Sequence, residues 1–182
     1  MRSMVIARKY GFFVKFIAKR RFIFIFVGEI IVNAMDSQQQ IDEQFMRMAL
    51  LEAEQAFGSE EIPVGAVVTC GGRIIARAHN LTEQLTDVTA HAEMQAITAA
   101  ASALGGKYLT DCTLYVTVEP CVMCAGAIGW AQMGRVVYGA ADEKRGYSRL
   151  APAALHPKTQ VIAGILAEEC SELMREFFRQ KR

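Results

Sequence analysis

The chain has 182 residues, of which 52% are hydrophobic and 21% are charged, and its formal net charge is +1. This length and composition predict one domain with a hydrophobic core, which excludes general disorder and a fibrous protein. No stretch approaches the roughly 20 consecutive apolar residues of a membrane span, so no stable membrane association is expected. A net charge near zero also argues against a broad electrostatic grip on nucleic acid.

The net charge averages three unlike regions. Residues 1–34 carry a formal charge of +6, residues 35–134 carry −8, and residues 135–182 carry +3. Any binding of nucleic acid is therefore expected to be local, in the C-terminal third of the chain and short in reach.

The first 34 residues are basic and apolar, and three interpretations are open. Phe22–Val32 is an apolar run behind a basic cluster, and residues 32–34 resemble a cleavage site, as in a signal peptide. A second interpretation is that Met35 is the true start, which is favoured because globular patterning begins directly after it. The third is a real extension that lies on a membrane surface or packs on the domain. We expect an extension of doubtful reality over 1–34 and one domain over 35–182.

After Met35, hydrophobic periodicity predicts alternating helices and strands. In chain order the pattern predicts a helix over 41–57, strands over Val64–Cys70 and Arg73–Ala78, a polar loop over Asn80–Thr89, a helix over Ala90–Ala103, a strand over Thr113–Val118, a helix over Cys121–Gln132, a strand over Arg135–Ala140, an irregular basic segment over 141–158, a strand over Gln160–Gly164 and a helix over Leu166–Arg179. This order predicts an α/β fold, a three-layer α/β/α arrangement around a mixed sheet of about five strands.

Two segments that begin predicted helices carry metal-ligating side chains. Cys121 and Cys124 are three residues apart, so both thiols lie on one face of a helix, and the helix dipole favours thiolates there. Together with His91 they supply three ligands for a tetrahedral Zn²⁺. The fourth position is left for water, as in catalytic zinc sites.

Glu93 follows His91 by two residues and need not bind the metal. Zinc lowers the pKa of bound water towards ~7, so that zinc-bound hydroxide forms at neutral pH, and an adjacent carboxylate can take and return the proton. The pattern H-x-E with P-C-x-x-C is the signature of zinc nucleobase deaminases. A C-x-x-C pair alone would equally fit a redox pair or half of a structural zinc site.

From about Ile41 onward the chain resembles the bacterial tRNA-specific adenosine deaminases, which convert wobble adenosine to inosine. The stretches that carry the resemblance are Glu61–Val67, Asp87–Glu93, Leu114–Ala127, Gly134–Ala140 and Phe177–Arg179. The resemblance implies a cytidine-deaminase-like fold, a homodimer in the cytoplasm, and a tRNA anticodon stem-loop as partner, with the target base flipped out.

The resemblance also assigns roles to individual residues. It implies that His91, Cys121 and Cys124 hold one Zn²⁺ per subunit, that Glu93 shuttles protons, and that Asn80 contacts the flipped nucleoside. Residues that it suggests for RNA contact are Asp142, Lys144, Arg145, Arg149, Phe177, Phe178 and Arg179. Without the resemblance, the basic residues among them would be interpreted as an ordinary solvated surface.

The sequence departs from the family at three places. Val88 stands where many members have proline, Gly129–Gln132 replaces a segment that is often more polar, and residues 1–34 have no counterpart. The second departure puts contacts with a dimer partner or RNA at that segment in doubt.

Two alternatives remain open at the level of sequence. One is a deaminase of a free base or nucleotide, such as guanine or cytosine, since the zinc site is common to all of these enzymes. The other is a catalytically silent zinc-binding subunit, against which the intact Glu93 argues. The basic C-terminal region favours RNA over a free base.

Cysteine usage points to a reducing compartment. Five cysteines, two of them assigned to zinc, do not suggest a disulfide framework. Cys70, Cys112 and Cys170 are expected to be small buried side chains.

Overall fold

A computed structural model describes residues 37–181. Its contacts divide the chain into two units, Met1–Ile41 and Asp42–Arg182. The described part of the first unit is one turn of helix, over residues 37–41. The extension predicted over 1–34, and the choice between its three interpretations, lie outside the described residues.

The described residues form five strands and five helices. They are α1 (37–58), β1 (Gly65–Cys70), β2 (Arg73–His79), α2 (Ala92–Leu104), β3 (Cys112–Val118), α3 (Val122–Trp130), β4 (Arg135–Ala140), α4 (Tyr147–Leu150), β5 (Gln160–Ala163) and α5 (Ala167–Gln180). None of these helices has the length and hydropathy that crossing a membrane would require.

The predicted order of elements is confirmed, with one correction. The segment predicted to be irregular over 141–158 contains the short helix α4. Periodicity could not predict this single turn, because buried contacts from another part of the chain hold it in place.

The five strands form one mixed sheet in the order β2-β1-β3-β4-β5. Strand β1 is antiparallel to both of its neighbours, whereas β3, β4 and β5 run parallel to one another. As a result β2, β3 and β4 all end at the same edge of the sheet. Loops that follow parallel strands meet at such an edge, which is where α/β proteins place their sites.

Helices cover both faces of the sheet, as the three-layer prediction requires. Along β1, Ala66 and Val68 pack against α2 and α3, whereas Val67 between them packs on the opposite face with α1 and α5. Strand β3 alternates in the same way, because successive side chains of a strand point to opposite faces. The predicted α/β/α fold is therefore confirmed.

A buried ionic contact ties α1 to the edge of the sheet at which β4 begins. Arg135 Nη1 and Nη2 donate to the two carboxylate oxygens of Asp42 at 2.7 and 2.6 Å, and the Tyr115 hydroxyl donates to Asp42 Oδ1 at 3.0 Å. Burial, followed by the Asp42 charge, raises the pKa of Tyr115 well above its usual range. This contact anchors α1 at the edge of the sheet where β4 begins. The opposite edge, where β4 ends, is occupied by loops.

Candidate active site

Three metal-ligating side chains converge at the edge where β3 ends. The ligand atoms of His91, Cys121 and Cys124 all lie within 4.8 Å of one another. His91 Nδ1 is 3.7 Å from Cys121 Sγ and 3.5 Å from Cys124 Sγ. Two sulfurs and one imidazole nitrogen at these separations fit the donor set that Zn²⁺ takes in proteins.

Helix starts position all three ligands. His91 is the N-cap of α2, and Cys121 is the N-cap of α3, each with an extended backbone. Cys124 follows in the first turn of α3 and is fully buried. Helix α3 therefore begins one residue later than predicted, at Val122, and α2 begins two residues later, at Ala92. The ligands Cys121 and His91 occupy the capping positions in front of them.

The electrostatics of the cluster favour a thiolate. Hydrogen bonding from Cys124, aided by His91, lowers the pKa of Cys121 to about 4. The same shared proton raises the pKa of Cys124, and the hydrogen bond with Cys121 raises that of His91. The cluster thus favours negative charge on Cys121, as a cation site should.

Glu93 lies in the first turn of α2, close to the three ligands, and is only 3% exposed. Burial raises the pKa of its carboxyl to about 6, against the smaller opposing effects of its own backbone N–H and His91. A carboxyl with a pKa close to neutral can both accept and return a proton, which is the property that acid–base catalysis requires.

Asn80 braces the start of α2. Its Oδ1 accepts a hydrogen bond from the backbone N–H of Ala92 at 3.0 Å, and the residue is 4% exposed. The His91 side chain makes no capping hydrogen bond, so Asn80 supplies the acceptor that a serine or aspartate N-cap would normally provide. Within residues 37–181, the amide nitrogen of Asn80 donates no hydrogen bond.

A buried carboxylate, whose role the sequence did not predict, anchors the loop between Asn80 and His91. Glu61 is fully buried and accepts hydrogen bonds from Thr82 Oγ1 at 2.9 Å and from the backbone N–H groups of Glu83 and Gln84 at 2.8 and 2.9 Å. An acid directly before the apolar stretch that leads into β1 was the only local signal of this role.

A second missed carboxylate anchors the loop after β4. Glu119 is 5% exposed and accepts from the backbone N–H groups of Asp142 and Ser148, both at 3.0 Å. Gly146 passes so close that a Cβ there would lie 2.5 Å from the Glu119 carboxyl, and it forms a β-bridge with Cys121. Glu119 therefore fixes this loop beside the zinc ligands.

The residues predicted to contact RNA fall into two groups. In the loop after β4, Asp142 Oδ1 accepts from the backbone N–H groups of Lys144 and Arg145, and Arg149 donates to the Glu143 carbonyl. Lys144, Arg145 and Arg149 are all exposed.

The other group lies on α5, which packs on the sheet face opposite α2 and α3. Phe177 is buried against Phe57 and Phe178, whereas Phe178 is exposed. Arg179 pairs with Glu172 and Glu176 on its own helix. The structure thus places the basic loop, and not α5, directly beside the metal ligands.

Comparison with known proteins agrees with this geometry. The model of the cytidine and deoxycytidylate deaminase zinc-binding region matches residues 39–140. A tRNA-specific adenosine deaminase of Streptococcus pyogenes serotype M18 is 45% identical over 149 residues, which cover 78% of this chain and 94% of that protein. The chain belongs to the tRNA-specific adenosine deaminase family.

Solved structures extend the comparison. One from a study of A-to-I editing by tRNA:A34 deaminases at the wobble position of transfer RNA is 43% identical, with a TM-score of 0.67, and covers 71% of this chain and 98% of that one. A guanine deaminase of Bacillus subtilis is 39% identical, with a TM-score of 0.53, covering 63% of this chain and 70% of that one. The cytidine-deaminase-like fold of this family member is therefore shared by deaminases that are named for different substrates.

Replacing Glu119 by glutamine is expected to loosen the loop after β4. Hydrogen bonds to a charged acceptor are stronger than those to a neutral one by about 1 kcal/mol each, so two weakened bonds should raise the rate of tryptic cleavage after Lys144 and Arg145 about thirtyfold. Peptide mapping of a digestion time course measures this rate. Glu143→Gln, which removes an exposed charge from the same loop, is the matched control and should cut like wild type. Equal rates for both variants would show that Glu119 does not hold the loop.

Proposed function

We propose that this protein hydrolytically deaminates adenosine to inosine at the wobble position of tRNA. The observation that carries the proposal is the convergence of His91, Cys121 and Cys124 beside the buried Glu93. It occurs in a chain that is 45% identical to a tRNA-specific adenosine deaminase along nearly the whole of that relative. A cytoplasmic location follows as part of the proposal, because that is where tRNA is modified and where thiol ligands stay reduced.

The three ligands would hold one Zn²⁺ in each subunit. Their number leaves one coordination position open for water or substrate. When bound, zinc lowers the pKa of a water molecule towards ~7 and so supplies a nucleophile at neutral pH.

Glu93 is proposed to move the protons of the reaction. Its carboxylate takes a proton from the attacking water and delivers it to the adenine ring nitrogen next to C6. It then takes the proton of the hydroxyl now bonded to C6 and gives it to the departing amine, so that the C6–N bond breaks, ammonia leaves and inosine remains. Its burial limits exchange of that proton with bulk water, and burial raises the pKa of the carboxyl to about 6, close enough to neutral for it to take up and release a proton.

Asn80 is proposed to bind the flipped nucleoside through its amide nitrogen. Its oxygen is already committed to Ala92, so the amide orientation is fixed and the nitrogen remains for the substrate. The brace thus preorganises the contact, since no side-chain rotation has to be frozen when the nucleoside binds.

Lys144, Arg145 and Arg149 are proposed to contact phosphates of the anticodon stem-loop. They lie in the loop that Glu119 anchors beside Cys121, and all three are exposed. Asp142 would act by shaping that loop. On α5, Phe178 and Arg179 would extend the surface, with the buried Phe177 positioning Phe178.

A homodimer is also proposed, with α3 at its interface. Trp130, the only tryptophan of the chain, ends α3 and is 86% exposed, and Val122 at the start of the same helix is also exposed. Large aromatic side chains are enriched at protein interfaces, so an exposed tryptophan favours this helix as the contact. The mass of the native protein in solution, measured by light scattering, is expected to be twice that of one chain, and Trp130→Glu should halve it. A monomeric wild type would contradict the dimer.

The decisive experiment compares substrates. The zinc-loaded protein is incubated with an anticodon stem-loop that carries adenosine at the wobble position, and separately with guanine, cytidine and free adenosine. Inosine is expected in the stem-loop alone. Glu93→Gln should retain zinc and lose turnover by at least ~100-fold, since it cannot accept a proton. Turnover of guanine with an untouched stem-loop would favour the activity named for the Bacillus subtilis neighbour. Zinc binding without turnover of any substrate would favour a silent subunit.

Substitution of Asn80 separates its two roles. Asn80→Asp keeps the oxygen that accepts from Ala92 but removes the amide donor, so KM for the stem-loop should rise about tenfold. Asn80→Ala removes both groups and should also lower the stability by ~1 kcal/mol. Thermal unfolding and steady-state kinetics measure the two effects. An unchanged KM in Asn80→Asp would rule out the substrate contact.

A further inference from the structure

Two cysteines outside the metal cluster face each other across the sheet. Cys70 is the last residue of β1 and Cys112 is the first of β3, and the antiparallel register pairs them directly. All five cysteines are free thiols in the structure, so this pair is reduced.

The backbone at this pair has the geometry that a cross-strand disulfide needs. The backbone N–H of Cys112 donates to the carbonyl of Leu109 at 3.0 Å. Cys112 and Cys70 therefore do not exchange a pair of backbone hydrogen bonds. Opposed residues that do not exchange backbone hydrogen bonds have Cα atoms about 4.5 Å apart, with their side chains closest together. Disulfides span Cα separations of roughly 4.4–6.8 Å, so the bond requires no rearrangement of the strands.

We propose that Cys70 and Cys112 form an oxidisable dithiol, a modification site that a peroxide converts into a cross-strand disulfide. The remaining thiol outside the metal cluster, Cys170, lies on α5 and is buried against β4, with no cysteine opposite it in the described residues. The pair is thus distinguished from the other cysteines by its placement.

Exposure sets the order of the two steps. Cys70 is partly exposed, whereas Cys112 is 2% exposed, and burial raises the pKa of the Cys112 thiol to about 11. The Cys70 sulfur therefore meets the peroxide first and becomes a sulfenic acid as one water leaves. The Cys112 sulfur then attacks the Cys70 sulfur and expels the hydroxyl, which takes up the Cys112 proton and leaves as a second water. Two thiols lose two electrons and the peroxide gains them.

The disulfide would close a covalent loop that contains part of the candidate active site. Between residues 70 and 112 lie β2, the loop that begins at Asn80, and helix α2 with His91 and Glu93. A covalent bond between the ends of this segment restricts the unfolded chain and so raises stability. This inference rests on the strand register and stands whether or not the proposed tRNA activity is correct.

The test oxidises the full-length, zinc-loaded protein with one equivalent of hydrogen peroxide under native conditions. After free thiols are alkylated in denaturant, the intact mass should show one disulfide, a loss of about 2 Da and two fewer alkylated thiols. Digestion with trypsin and chymotrypsin cuts between Cys112 and Cys121, so the peptide joined to the Cys70 peptide can be identified. Thermal unfolding should show a raised melting temperature that a reductant reverses.

Single serine variants provide matched controls. Cys170→Ser should still form the bond, whereas Cys70→Ser and Cys112→Ser should not, and in Cys112→Ser the Cys70 sulfenic acid should accumulate and react with dimedone. Two single variants are used so that one failure to fold does not decide the result. Oxidation that joins Cys121 to Cys124, or that links separate chains while Cys70 and Cys112 stay alkylated, would overturn the proposal.

Discussion

The ligands of the candidate metal site occupy the N-cap positions of two helices, and much of the surrounding structure follows from this. A helix leaves its first N–H groups without intrahelical partners, and an N-cap side chain normally accepts from one of them. The side chains of His91 and Cys121 belong to the ligand cluster and make no capping hydrogen bonds. For α2 the missing acceptor comes from Asn80, twelve positions earlier in the chain.

This constraint explains why a residue expected only to touch substrate is also part of the fold. If Asn80 is held by Ala92, its position relative to His91 and Glu93 is set before any nucleoside arrives. The geometry of the candidate ligands, the proposed proton shuttle and the proposed substrate contact are then coupled through the first turn of one helix. A substitution at any of these positions is therefore expected to change the start of α2 as well as the catalytic step.

Two buried carboxylates order the loops on either side of the cluster. Glu61 accepts three hydrogen bonds from the loop after β2, and Glu119 accepts two from the loop after β4. Burying a carboxylate is costly unless its oxygens are well hydrogen-bonded, and backbone N–H groups are suitable donors because they are fixed in place. Each loop is thereby shaped without regular secondary structure.

Sequence patterns predicted what depends on neighbouring residues and missed what depends on distant ones. Alternation and helical periodicity predicted the elements, because both are local in sequence. The candidate ligands were recognisable because H-x-E and C-x-x-C are each short local motifs, although 30 positions separate His91 from Cys121. The pairing of Asp42 with Arg135 spans 93 positions, and that of Glu119 with Ser148 spans 29. The opposition of Cys70 and Cys112 depends on strand register. None of these leaves a periodic signature.

The fold also shows which basic residues of the C-terminal third are paired with acids and which are not. Arg175 and Arg179 contribute to the +3 of that region, yet each pairs with glutamates on α5 itself. Exposed pairs of this kind are weak, so a phosphate can displace the carboxylate, but each such contact must first replace an existing one. Lys144 and Arg145 form no ion pair within residues 37–181, and Glu119 fixes their loop beside Cys121. A nearly neutral chain can therefore present basic side chains without ion-pair partners where the proposed stem-loop would lie, since their position next to the site matters more than the total charge.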